Sequence, residues 1–145
     1  MIGLLQRVSS ASVSINGEIS GEIGRGLLVL VAIHRDDEER DITRLAERLL
    51  TYRVFPDAEG RMNLSVQDIS GGLLLVPQFT LTADTRKGTR ASFTKGAAPE
   101  VASAYFDKLV AACSKALETV ETGRFGADMQ VSLTNDGPVT FWLES

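Results

Sequence analysis

A chain of 145 residues, 43% hydrophobic and 23% charged, fits one domain, residues 1–145, around one core, with no sign of disorder or of a solenoid repeat. Its formal net charge of −4 argues against broad, nonspecific nucleic-acid binding, which draws on a basic balance, but not against contact with the end of an RNA alone. One cysteine, Cys113, and one histidine, His34, exclude an intrachain disulfide and a Cys/His zinc site, and no apolar run reaches the roughly 18–20 residues that span a bilayer.

In chain order, Ile2–Ile15 has strand character, with Val13 and Ile15 alternating with Ser12 and Ser14. Asn16-Gly17 is a tight-turn dipeptide, and Glu18–Ile23 reads as the return strand. Leu27–Ile33 is apolar throughout and reads as a central strand. Asp36 or Asp37 can cap a helix from about Glu38 to Arg53, whose buried face is Ile42, Leu45, Ala46, Leu49 and Leu50. Pro56 lies beyond it, 57–60 is a turn, and Met62, Leu64 and Val66 alternate as a short strand. Leu73–Val76 is a second apolar strand, and Pro77, lacking an amide, belongs at a strand end or an edge. A long polar loop fills 82–98, a length that is usually functional or mobile. Pro99 suits the first position of a second helix, with Glu100 in its first turn. Val101, Tyr105, Leu109 and Cys113 are expected on its buried face, with Cys113 a buried structural thiol. Met129, Val131 and Leu133 alternate as a half-buried strand, 135–138 breaks it, and Val139, Phe141 and Leu143 resume. The expected fold is α+β, with a mostly antiparallel sheet or partly closed barrel and two main helices.

Absences narrow the chemistry. Triad mechanisms need an imidazole beside the nucleophile, and His34, the sole candidate, reads as a capping or surface residue. No GxGxxG or P-loop pattern is present, so no nucleotide cofactor is expected, and no metal site is evident. Catalysis must then rest on backbone donors, hydroxyls and the substrate itself. Two segments suit this. Pro77–Leu81 leaves a buried strand, where backbone N–H groups can point at a ligand; Gln78 offers a donor and an acceptor and Thr80 a hydroxyl. From the residues alone, an ordinary strand end with Phe79 in the core is the plainer reading. The stretch 135–140 is a plain turn, or a rigid polar wall if its Gly-Pro step is cis. From Arg86 to Lys95 the chain carries Arg86, Lys87, Arg90 and Lys95 and no acid, which fits a solvated loop or a local phosphate-contact patch.

These segments, PQFTL at 77–81 and NDGPVT at 135–140, resemble the signature pair of the D-aminoacyl-tRNA deacylase family, SQFTL and NxGPVT. The opening MIGLLQRVSSASV, the stretch FPDAEGRMNLSV, the basic loop and TGRFGADMQVSL resemble the family too, so the likeness runs along the whole chain. Pro77 stands where the family usually has Ser, and it cannot donate a backbone hydrogen bond. A related animal-type deacylase of different chiral tolerance resembles PQATL here; Phe79 favours the D-specific branch.

The resemblance implies a cytoplasmic homodimer acting on the aminoacylated 3′ adenosine of a tRNA acceptor end. Gly137 and Pro138 of one subunit would enter, through a cis bond, the pocket of the other. Gln78, Phe79 and Thr80 would form the pocket floor, Arg7 would hold the Gly-Pro loop, and Phe125 and Met129 would lie close by. Arg86, Lys87, Arg90 and Lys95 would meet the tRNA. The activity implied is ester hydrolysis of D-aminoacyl-tRNA and glycyl-tRNA, with L-aminoacyl-tRNA rejected by a clash at the Gly-Pro motif. An animal-type editing enzyme and a non-catalytic tRNA-end binding module are the alternatives.

Overall fold

A computed structural model describes residues 1–145 and explains the fold strand by strand. Asn16 and Gly17 take positive φ angles of 52° and 82°, the backbone that a two-residue hairpin needs. They fold β1 (Ile2–Ile15) back onto β2 (Glu18–Ile23). β1 is the spine of the sheet. One of its edges pairs antiparallel with β3 (Gly26–Ala32) over Ile2–Val8 and with β2 over Ala11–Ile15. The other edge pairs with β8 (Gln130–Glu144) along almost its whole length. From β3 the chain crosses over through α1 (Glu39–Thr51) and a small hairpin, β4 (Phe55–Pro56) with β5 (Met62–Leu64). It returns as β6 (Gly72–Pro77), parallel to β3. After α2 (Pro99–Ser114), β7 (Val120–Thr122) adds in parallel to β6.

Glycines set two close approaches. A Cβ on Gly26 would lie 1.9 Å from the Gly72 carbonyl oxygen, so the start of the β3–β6 pair admits no side chain there. A Cβ on Gly21 would lie 2.9 Å from the Thr122 oxygen. That contact joins the two ends of the sheet, β2 and β7, and the mixed sheet nearly closes into a barrel. The α+β reading with two helices therefore holds.

Two apolar clusters flank the sheet. The larger packs Leu5, Leu27, Val29, Leu73 and Leu75 against both helices. The smaller lies on the other face, where Val8, Ala11 and Val13 fold over Leu28, Leu74 and Val76. α1 buries Ile42, Leu45, Ala46, Leu49 and Leu50, as the spacing requires. Its cap is neither Asp36 nor Asp37. Glu38 and Asp41 form a reciprocal capping box. Asp37 is engaged elsewhere, taking the Met1 ammonium at 2.6 Å and the His34 amide at 2.6 Å.

Three local expectations are corrected. α2 buries Ala102, Phe106, Leu109 and Cys113, while Val101 is exposed and Tyr105 half-buried. A strict four-residue step drifts about 40° per step around a helix of 3.6 residues per turn, which carries Val101 off the face set by Leu109 and Cys113. The Asn135–Pro138 stretch does not end its strand: β8 runs through it with register shifts opposite Val8. Val131 and Leu133 are each 37% exposed rather than half-buried. No helix is long and apolar enough to cross a membrane.

Candidate active site

The ends of β3 and β6 open into a cavity of about 560 Å³. Val31, Ala32 and Ile33 come from β3 and its exit, Val76, Pro77, Gln78 and Phe79 from β6 and the turn after it. Phe125, Gly126, Ala127, Met129 and Val131 also line it. Phe93, Gly96 and Ala97 enter from the long loop because that loop is stitched beside the end of β3. The Arg35 amide donates to the Lys95 carbonyl at 3.0 Å and the Ala97 amide to the Ile33 carbonyl at 3.0 Å. None of the side chains lining the cavity is ionisable. His34 sits outside it, in a bridge to Gly96.

Pro77 ends β6 opposite Val31, as a residue without an amide should. The next amide, Gln78, is spent on the Val31 carbonyl at 2.7 Å. Phe79–Thr82 then forms a single 3-10 turn. The first amides of such a turn, Phe79 and Thr80, have no acceptor within it. The Gln78 side-chain amide donates to the Thr80 hydroxyl at 2.5 Å. A hydroxyl that accepts a hydrogen bond, with no base beside it, is a poor nucleophile.

The Gly137-Pro138 step is cis and exposed, with Gly137 at φ 149°. It does not line its own chain's cavity. It lies beside Arg7, which pairs with Leu27 at the start of β3, whereas the cavity begins at Val31. Four strand residues at about 3.3 Å each separate the two by roughly 13 Å. Arg7 Nε donates to the Asp136 carbonyl at 2.8 Å and a terminal guanidinium nitrogen to the Val54 carbonyl at 2.6 Å. Asn135, the first residue of the NDGPVT stretch, and Gln6 complete the brace. The Asn135 side-chain oxygen accepts from the Val139 amide at 2.7 Å, and its nitrogen donates to the Val139 carbonyl at 3.2 Å and the Thr140 hydroxyl at 3.0 Å. The same nitrogen reaches the Gln6 side-chain oxygen at 3.4 Å.

The four basic residues of the long loop differ. Arg86 grips the Asp84 carboxylate with two nitrogens, and Lys95 stands 3.8 Å from it. The Arg86 guanidinium holds the Asp84 carboxyl well below the usual carboxylate range. Lys87 and Arg90 are exposed and have no ion pair. No group of three or more His, Cys, Asp or Glu is gathered as a metal would require. Gln78, Phe79, Phe125 and Met129 thus meet at one cavity, with Thr80 one residue further along the turn. Gly137, Pro138 and Arg7 form a second cluster away from it. Phe93, a cavity-lining residue inside the basic loop, was marked by nothing but its neighbours.

Comparison with known proteins gives the family. The family model for D-Tyr-tRNA(Tyr) deacylase matches residues 4–144. A D-aminoacyl-tRNA deacylase of Alkalilimnicola ehrlichii is 61% identical over 145 residues, covering 100% of this chain and 97% of its own. One of Escherichia coli is 58% identical over 144 residues, covering 99% of both chains. Among solved structures, a c-Myc DNA unwinding element binding protein superposes with a TM-score of 0.95 at 37% identity, over 100% of this chain and 99% of that one. A probable eukaryotic D-amino acid tRNA deacylase, at 19% identity and a TM-score of 0.86, shares the fold. With the model spanning nearly every residue and relatives near 60% identity over their full lengths, the chain belongs to the D-Tyr-tRNA(Tyr) deacylase family.

Proposed function

We propose that the protein hydrolyses the ester of D-aminoacyl-tRNA and of glycyl-tRNA, spares L-aminoacyl-tRNA, and works as a cytoplasmic homodimer with residues 1–145 acting as one unit. The observation that carries the reading is an apolar cavity without an ionisable group, floored by a turn whose first amides have no partner within it. An aminoacyl-tRNA is an activated ester with a ribose hydroxyl next to it. Such a substrate needs orientation and oxyanion stabilisation more than a strong protein base. An oxyanion donor such as the Phe79 or Thr80 amide is worth about 3–4 kcal/mol. The ribose 2′-hydroxyl positions the attacking water, in preference to a Thr80 nucleophile. Gln78 orients Thr80, and Phe125 and Met129 hold the nucleoside.

The dimer is supported by the separation of the two clusters. The ammonium and the ester carbonyl of an aminoacyl group are two bonds apart, while the β3 residue paired with Arg7, which holds the Gly-Pro turn, and the β3 residue that begins the cavity are roughly 13 Å apart along the strand. One chain cannot bring both to one substrate; a second copy can. The surface supports such a copy. β8 is a 15-residue edge strand with an unpaired side. Trp142, 50% exposed, continues through Leu4 and Leu30 into the smaller core, so an apolar row runs out to solvent. A two-fold axis across this face presents the same patch from both copies. With the partner's Gly-Pro turn at the ammonium, an L side chain would clash and a D side chain would point outward. Glycine, having none, would pass.

The test is deacylation of D-Tyr-tRNA, L-Tyr-tRNA and Gly-tRNA by the purified protein. Cleavage of the D and glycyl substrates with the L form spared is expected. Cleavage of the L form would move the protein to the relaxed-chirality branch. RNA binding without cleavage of any would leave a tRNA-end binding module.

A further inference from the structure

The cavity and its rim differ in character, and a substrate longer than one nucleoside must cross that rim. At about 560 Å³ the cavity is sized for one drug-sized molecule, which is one aminoacylated nucleoside. The rest of an acceptor strand then leaves over the edge.

The edge carries two aromatic rings side by side. Phe79 is 61% exposed and Phe93 44%. Their centroids lie 5.1 Å apart with the planes tilted at 55°. The other aromatic pair of the molecule, Tyr52 with Phe141, is half-buried against the larger core. Two large apolar rings kept in water at a cavity mouth form a surface on which a base can stack, a contact indifferent to base identity. Lys87 and Arg90, on the same loop as Phe93, are exposed cations with no carboxylate, in contrast to Arg86 and Lys95, which share Asp84. In a chain of net charge −4, unpaired cations on the same loop as an exposed ring suit a strand that carries phosphates between its bases.

We infer that Phe79 and Phe93 form a stacking platform for the base of the penultimate nucleotide, with Lys87 and Arg90 meeting the phosphates of the departing strand. The inference rests on the deacylase reading and adds a subsite to it. Phe93 is a binding residue that acts before the chemical step, outside the reacting atoms.

The experiment compares three D-tyrosyl esters: on full tRNA, on the dinucleotide cytidylyl-adenosine, and on the same dinucleotide with an abasic penultimate position. The abasic substrate keeps the phosphate and removes the base. The wild-type protein is expected to prefer the dinucleotide over its abasic form by about tenfold in kcat/KM, the size of one base–aromatic stack. Phe93→Leu should bring that preference close to one, and Phe93→Tyr should restore it. Equal rates on the two dinucleotides in the wild type, with full tRNA cleaved, would overturn the platform and leave the deacylase reading standing. An equal loss on both dinucleotides in Phe93→Leu would also overturn it, by making Phe93 a wall of the cavity alone. No cleavage of any ester, full tRNA included, would overturn the deacylase reading and the platform with it.

Discussion

Arg7→Lys isolates the tether between the fold and the Gly-Pro turn. The guanidinium bridges two carbonyls, Asp136 at 2.8 Å and Val54 at 2.6 Å, with its side chain 13% exposed. Lysine offers a single ammonium in place of the fork and serves one carbonyl well. The choice between them follows from burial. Val54 is fully buried, so its oxygen has no water to turn to, while Asp136 is exposed and water replaces the lost bond. Lysine therefore stays with Val54, and the turn loses its tether. A hydrogen bond from a charged donor contributes about 1.5–3 kcal/mol, which corresponds to roughly tenfold to a hundredfold in the occupancy of the fixed turn. In the proposed function, rejection of the L substrate depends on that fixed turn, so the ratio of kcat/KM for D-Tyr-tRNA to that for L-Tyr-tRNA should fall by the same factor. Asn135 still braces the turn from within, which sets the lower end of the range as the expected result. The assay is deacylation of both tRNAs alongside thermal unfolding. A ratio within about twofold of wild type, with a lowered melting temperature, would make Arg7 a strut for Val54 and refute the argument.

Trp142→Glu places a charge at the solvent end of the apolar row on β8; the variant should sediment as a monomer with an unchanged circular dichroism spectrum and lose D-Tyr-tRNA deacylation, and a fully active monomer would sink the two-copy site. Burial pushes the Cys113 thiol up from 9.0 to about 12. The folded thiol then keeps its proton at pH values where the unfolded one has lost it, so the unfolded state binds fewer protons and stability falls as pH rises from about 9 towards 12. Urea unfolding should show that fall at about 1.4 kcal/mol per pH unit from this group, and Cys113→Ala should remove that component of the slope; an unchanged slope would refute the burial argument.

Much of the candidate site was legible because its parts are unusual locally. Pro77 ends a strand for want of an amide, and that fixes where the floor begins. The Gly137-Pro138 step stands out in any strand. Asn135 was not legible as a brace, since its partners Gln6 and Thr140 come together only when β1 and β8 pair. Phe93 was hidden for a related reason. Its pairing with Phe79 depends on the long loop being stitched to the end of β3, a contact between residues some sixty apart in the chain. The α2 face shows a different failure. The residues at 105 and 106 are both aromatic, so composition could not choose between them; only the true helical period does.

Period alone also cannot say what covers a face. Met129, Val131 and Leu133 alternate as a strand should, and the structure places Val131 and Leu133 in β8 with Met129 just before it, yet Val131 and Leu133 stay in contact with water. Alternation reports that a face is apolar, whereas burial depends on what lies against it. Along β8 the fold supplies cover on one side only: Phe141 and Leu143 pack into the larger core, while Trp142 faces outward between them. A strand that is apolar on the side its own chain leaves bare carries a cost in the isolated copy that a second copy removes. The same face bears Gln6 and Thr140, which help fix the Gly-Pro turn. In the proposed dimer, covering the apolar row and presenting the turn to the other copy's cavity are one event, and a substitution that prevents the first should abolish the second.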